Sequence, residues 1–236
     1  MKRDLLLEIG VEEMPSSFMG KSLEDLKKMA VQKFIDKRIN FDRLRTLGTP
    51  RRIVLHVEGL EEQQADALLE NRGPKKAAAF DAEGNASKAA EGFARGQGID
   101  VKDLVVKEMA GVEYVFAIKK EIGGKTEDIL EVLLLEMIQA FSFPKSMRWG
   151  YHHTRFARPI RWMLALFGEQ VLSLQIENVV SAGVTYGHRF LSPEAKTIPK
   201  IVDYFTILRD GYVIVDPEER KAMIWQQIQQ VASEQG

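Results

Sequence analysis

The sequence predicts an α+β fold of mixed strands and helices, and three observations predict it. The chain opens on a short apolar run, LLLEI (5–9), closed off by Gly10 and Pro15, which reads as a buried strand. Apolar residues recur at helical spacing in other stretches, as Leu23, Leu26, Ala30 and Phe34 do. Strand-like and helix-like segments then follow one another without a regular βαβ alternation. The 236 residues, 45% hydrophobic and 28% charged, suffice to bury a core of ordinary globular composition.

In chain order, residues 3–10 are the first strand. A helix follows from about Ser22, with Lys27, Lys28 and Lys33 on its wet side. Residues 41–47 and 51–58 make two strands joined at Gly48-Thr49-Pro50. In the second, Ile53, Leu55 and Val57 alternate with Arg52, Val54 and His56, which predicts one buried face. The stretch 59–80 is acidic, then basic, and carries no readable periodicity. DAEGN (81–85) has the composition of a turn, and Ser87 is placed to cap a short helix ending at Gly96 and Gly98. Residues 103–109 and 112–121 read as a hairpin turning at Gly111.

Thr126 stands as N-cap of a largely buried helix to about Phe141, with Glu127 and Asp128 in its first turn. Two strands are expected around Gly168 within 159–176, and more strand near 179–190. Pro199 opens a helix that ends at Asp210-Gly211, and YVIV (212–215) is a short strand. Asp216-Pro217-Glu218-Glu219 is a helix start in which Asp216 caps and Glu219 returns a bond to the cap backbone. That last helix carries Ile224, Ile228 and Val231 on one face with no packing partner in the sequence. The expected organisation is an N-terminal α+β domain over 1–198, with 59–125 as a sub-domain or insertion, and 199–236 as the truncated start of a following helical segment.

Composition excludes several functions. No apolar stretch is long enough to span a bilayer, and Asp4 and Glu8 interrupt any signal-peptide run. The absence of cysteine removes disulfides and thiolate metal sites. The chain reads as cytoplasmic. The net charge of −1 conceals segregation: every charge between Arg52 and Arg72 is acidic, and every charge between Glu136 and Glu169 is basic.

The stretch 143–168 therefore draws attention. It holds Lys145, Arg148, Arg155, Arg158 and Arg161, two histidines and six aromatic residues, with no acid. Guanidiniums pair with phosphates and aromatic faces take unpaired bases, so this composition suits an RNA surface. An amphipathic strand pair with core aromatics has the same composition, and both readings stand. TPRR (49–52) and RGPKK (72–76) are smaller cationic clusters that read as solvated turns. GFARGQG (92–98) has its glycines in the wrong order for dinucleotide binding, and no phosphate-cradling P-loop is present. His152 and His153 are adjacent and point apart, which makes a poor metal site. Glu8, Glu12 and Glu13 read as turn or helix-start carboxylates, since nothing nearby supplies a nucleophile or metal.

The segments LLLEIGVEEMP (5–15), TPRRIV (49–54), SKAAEGFARGQG (87–98), FPKSMRWG (143–150), RFARPIRWMLALFG (155–168) and TYGHRF (185–190) resemble, in the same order, segments of the β subunit of bacterial tetrameric glycyl-tRNA synthetase. The resemblance covers about residues 4–190. Val11 and Met14 replace the usual Thr and Leu of the family's opening, and Lys75 stands where a second Pro is expected.

The resemblance implies the following. The α subunit of such enzymes activates glycine with ATP and Mg, and the β subunit supplies tRNA recognition in an α2β2 tetramer. No cofactor is expected in this region. Its fold is expected to be similar to the B3/B4-type domain of phenylalanyl-tRNA synthetase β. The residues expected to meet glycine tRNA are Lys145, Arg148, Trp149, Arg155, Arg158, Arg161, His188 and Arg189. Three roles stay open: tRNA binding and assembly, hydrolytic editing of mischarged tRNA, and structural docking of the α subunit.

Overall fold

The computed structural model describes residues 1–81 and 83–235 and is α+β as expected. The chain forms two compact units, one from Met1–Gln64 with Gly124–Gly236 and one from Ala65–Gly123.

The first unit begins with β1 (Lys2–Val11), whose residues from Leu5 onward are all buried. Helix α1 (Ser16–Asp36) follows. It starts a turn and a half earlier than its periodicity indicated, because the Pro15 carbonyl already accepts the Phe18 N–H at 2.9 Å. The buried Ser22 is tolerated inside the helix because its hydroxyl donates to the Phe18 carbonyl at 2.8 Å. Strands β2 (Arg43–Thr49) and β3 (Arg52–Glu61) form the expected antiparallel pair.

The second unit contains β4 (Ala67–Lys75), helices α2 (Lys76–Ala79) and α3 (Lys88–Gln97), and strands β5 (Val105–Met109) and β6 (Val112–Glu121). Its sheet runs β4-β6-β5. β4 lies in the stretch that showed no periodicity, because its residues are mostly exposed and lack an apolar face. Ser87 caps α3 as expected, accepting the Ala89 and Ala90 N–H groups, and Gly98 closes it at φ +67°. Ala110 and Gly111 both take positive φ, the twist a two-residue hairpin needs. Within DAEGN, Asp81 and Asn85 bond to each other, and residue 82 lies outside the described residues.

The chain re-enters the first unit through α4 (Glu127–Gln139). Thr126 does sit at its start, but its hydroxyl donates to the Glu61 carbonyl instead of capping the helix. Strands β7 (Ile160–Phe167), β8 (Gln170–Val171), β9 (Gln175–Ile176) and β10 (Val179–Ala182) complete a seven-stranded sheet of order β2-β3-β1-β7-β10-β9, with β8 folded back on β7. The remaining elements are the hairpin β11 (Val184–Tyr186) and β12 (Ala195–Thr197), a 3-10 turn at Ile201–Asp203, α5 (Tyr204–Asp210) and α6 (Pro217–Gln235).

Both faces of the sheet are covered. Leu5, Leu7 and Ile9 of β1, with Ile53, Leu55 and Val57 of β3, pack under Leu26, Ala30 and Phe34 of α1 and Leu130, Leu134 and Met137 of α4. On the other face Leu6, Val54, Leu164 and Leu166 pack under Ile201, Tyr204 and Leu208. The single buried face expected for β3 is therefore incorrect: α5 closes off the second, and Arg52, Val54 and His56 are buried as well. YVIV (212–215) is not a strand, since Tyr212 turns left-handed at φ +60° and 212–215 forms no ladder. Asp216 caps α6 as expected, but the Glu219 carboxylate pairs with Arg209 rather than returning to the cap. Helix α6 buries none of its described residues.

Candidate nucleic-acid interface

The second sheet face carries a polar layer that sequence periodicity did not reveal. Gly10 of β1 lies opposite Arg52 of β3 on one side and Trp162 of β7 on the other. A Cβ at Gly10 would stand 2.0 Å from the Trp162 ring, so only glycine lets the indole lie across the strand. The Arg52 guanidinium sits 5.6 Å from that ring. Glu8, two residues back on the same face, is fully buried. Its carboxylate accepts from Trp162 Nε1 and Thr185 Oγ1 on one oxygen, and from Arg52 and the Tyr204 hydroxyl on the other. Glu8 is thus the centre of a buried network and not a turn carboxylate. Burial and the charge of Glu8 raise the Tyr204 phenol well above its ordinary pKa, which keeps it a donor.

Beside this layer the β2–β3 turn and the loop after β11 border two adjoining open cavities of about 390 and 260 Å³, the first also bordered by the segment after α5 and the second by β7. Both are lined by Arg51, Gly187 and Arg189. The first also meets His188, Phe190, Tyr212 and Arg220, and the second Arg161, Trp162 and Tyr186. The loop and the post-α5 segment approach at bare backbone: a Cβ on Gly187 would meet the Gly211 carbonyl at 2.8 Å. The His188 N–H donates to that same carbonyl at 2.7 Å. The His188 ring accepts the Phe190 and Leu191 N–H groups at Nδ1, 3.3 Å each, and so shapes the loop that presents Phe190.

The cleft is cationic. Glu12 pairs with Arg161 at 3.4 Å and Arg189 at 3.7 Å, and Glu13 is the acid lining the larger cavity. Five guanidiniums (Arg51, Arg52, Arg161, Arg189, Arg220) thus meet three carboxylates (Glu8, Glu12, Glu13). Burial, with Arg189 and Arg52 alongside, pushes the Arg51 pKa below its ordinary value. The buried Nε atoms of Arg51 and Arg52 have no acceptor among the described residues. Phe190 is 81% exposed and Tyr212 64% exposed, so two aromatic rings stand open beside these cations.

Of the residues that the sequence pointed to, Arg161, His188 and Arg189 come together here. Lys145, Arg148, Trp149, Arg155 and Arg158 do not line either cavity. Lys145 and Arg148 are exposed. Trp149 packs against the main core. Arg155 bonds Ser146 through its hydroxyl and carbonyl, and Arg158 donates to the Glu13 and Ala157 carbonyls. The phenylalanines of 143–168 are core: Phe143 and Phe156 meet edge to face, each also against Phe141, and Phe167 is buried. Sequence reading passed over Arg51, Arg52, Phe190, Tyr212 and Arg220. The signal for the first two was TPRR, which does turn at 50–51 with Pro50 exposed, but Arg52 is buried at 2% exposure. Among the described residues no group of three His, Asp or Glu is placed to hold a metal ion, and no helix is long and apolar enough to cross a membrane.

Comparison with known proteins bears on this site. The sequence model of the family described as "Glycyl-tRNA synthetase beta subunit" matches residues 5–236. The glycine–tRNA ligase beta subunits of Syntrophomonas wolfei, Desulforamulus reducens and Clostridioides difficile are 57%, 48% and 44% identical over 236 residues, all of this chain. The chain spans about a third (34%) of the length of these curated relatives.

Proposed function

Since the chain belongs to the glycyl-tRNA synthetase beta subunit family, we propose that it handles tRNA for glycine–tRNA ligation and does so through the Arg51–Arg161–Arg189 cleft. The observation that carries this reading is the cleft itself: an excess of guanidiniums beside two open aromatic rings. Guanidiniums hold phosphates bidentately, and exposed rings take unpaired bases. No nucleophile or metal cluster lies among these residues, so the role is positioning. Contacts to tRNA remote from the reacting atoms orient its 3′ end, which lowers the barrier without supplying chemical groups.

In this reading the chemistry belongs to an α subunit that uses ATP and Mg, in a cytoplasmic α2β2 assembly. The fold reading that accompanies it is a B3/B4-type domain like that of phenylalanyl-tRNA synthetase β. Replacing Arg51, Arg161 and Arg189 by Gln is expected to weaken glycine tRNA binding strongly. The same change at Lys145, Arg148 and Arg155 is expected to weaken it less. The reverse order moves the interface to the 143–155 loop.

Docking of the α subunit is a second reading, favoured by α6. Ile224, Trp225, Ile228 and Val231 are each more than half exposed on that helix, an apolar stripe of the kind that partner surfaces cover. Changing Trp225 and Ile228 to Ser separates the two: subunit assembly fails and tRNA affinity holds if α6 docks a subunit.

A further inference from the structure

We infer that the larger cavity of the cleft is a seat for one unstacked nucleotide, its phosphate on the arginines and its base against Phe190 and Tyr212. The inference deepens the tRNA-handling reading and rests on it for the source of the nucleotide.

Four observations point to a single nucleotide, not to a duplex backbone. The cavity has room for one: about 390 Å³, within the roughly 300–1,000 Å³ of ligand pockets. An unmet donor lies beside it. Arg52, at 2% exposure, has its other guanidinium nitrogens bound to Glu8, Thr185 and the Tyr186 carbonyl, while the buried Nε has no acceptor among the described residues. Arg51 Nε is in the same condition. A buried N–H without an acceptor is costly, and the charge of a phosphate held beside these guanidiniums offsets part of that cost.

The third observation concerns the rings. Phe190 and Tyr212, 81% and 64% exposed, line the same cavity from two different segments. A duplex keeps its bases stacked on each other, so open rings suit a base that has left the stack. The fourth is strain. Tyr212 holds φ +60° at the exit of α5, a position where glycine is the unstrained choice. The strained residue contributes its ring to the cavity, and strain of this kind concentrates at ligand sites.

An unpaired nucleotide of an RNA and a free nucleoside monophosphate share this chemistry. The test therefore uses AMP alone, an RNA duplex with blunt ends, and the same duplex with an unpaired 3′ overhang. Each is titrated against the wild-type chain, Phe190→Ala and Tyr212→Gly. Phe190 is exposed and Tyr212→Gly removes left-handed strain, so both variants keep the fold; thermal melts check this.

The expected result is tighter binding of the overhang than of the blunt duplex, weakened about tenfold by either variant, as for loss of one base–aromatic stack. AMP binding that the variants weaken, with no RNA binding, keeps the nucleotide seat but overturns the tRNA-handling reading. RNA binding indifferent to overhang and to both variants overturns the seat and leaves that reading standing. No binding of any probe overturns both.

Discussion

Arg52 and Glu8 form an ion pair at 3.3 Å with both side chains shut off from solvent, 2% and 0% exposed. A lone buried charge is costly, and here each partner also holds other groups of the layer: Glu8 takes Trp162, Thr185 and Tyr204, and Arg52 takes the Tyr186 carbonyl. The pair joins β1 and β3 to the start of the 186–193 loop and thereby positions one wall of the cleft. Breaking it from one side leaves an uncompensated charge, so Glu8→Ala is expected to destabilise the fold by about 3–5 kcal/mol. Urea denaturation measures this. A loss under 1 kcal/mol means the network relaxes without cost.

The contact of Gly10 with Trp162 gives a second prediction. Any side chain at Gly10 enters the indole, since even a Cβ falls 2.0 Å from the ring. Gly10→Val is expected to cost at least about 1–3 kcal/mol, the range for overpacking, and to shift Trp162 fluorescence. A variant with wild-type melting and emission shows that the indole lies elsewhere.

Acid should open the 151–154 loop. Glu177 accepts the His153 and Thr154 N–H groups and the Thr154 hydroxyl at 2.6–3.0 Å. The Thr154 hydroxyl and backbone bonds lower its pKa from 4.5 to about 2. A folded pKa below the unfolded one means the clasp contributes fully above about pH 4.5 and is lost as pH falls through about 2. Protection of the His153 and Thr154 amides, measured against their intrinsic exchange rates, is expected to fall as pH drops between these limits. In Glu177→Gln protection should be low at every pH; protection unchanged in that variant contradicts the account.

In the second unit, the Ser87 hydroxyl meets the Ala89 and Ala90 N–H groups at 3.2 and 3.4 Å. Ser87→Ala is expected to cost about 1 kcal/mol, read as faster amide exchange in α3. Exchange at the wild-type rate means that the cap contributes nothing.

Much of the fold was legible because its signals are local. Gly111, Ser87 and Asp216 mark turns and caps by chemistry that neighbouring residues complete, and LLLEI announces a strand by length and apolarity. The polar layer was not legible: Glu8, Arg52, Trp162, Thr185 and Tyr204 are spread over the chain, and a buried polar residue reads like a wet one until its partners are known. For the same reason His56 and Arg52 suggested a solvent-facing side of β3. The cleft was half legible. Arg161, His188 and Arg189 lay in the motifs singled out, whereas Tyr212 was hidden in a run that resembled a strand. The basic aromatic stretch 143–168 was ambiguous by composition: its phenylalanines are core and two of its arginines bond carbonyls and a serine hydroxyl within the chain, while Lys145, Arg148 and Arg161 are exposed.

The measurement that tests the central claim most directly is the salt dependence of glycine tRNA binding to the wild-type chain and to the Arg51→Gln, Arg161→Gln, Arg189→Gln triple variant. If these three guanidiniums hold phosphates as proposed, removing them predicts a log–log slope shallower by about 2–3, with weaker binding at low salt and a melting curve that stays cooperative. A folded triple variant with the wild-type slope and affinity contradicts the account and places tRNA recognition outside the cleft.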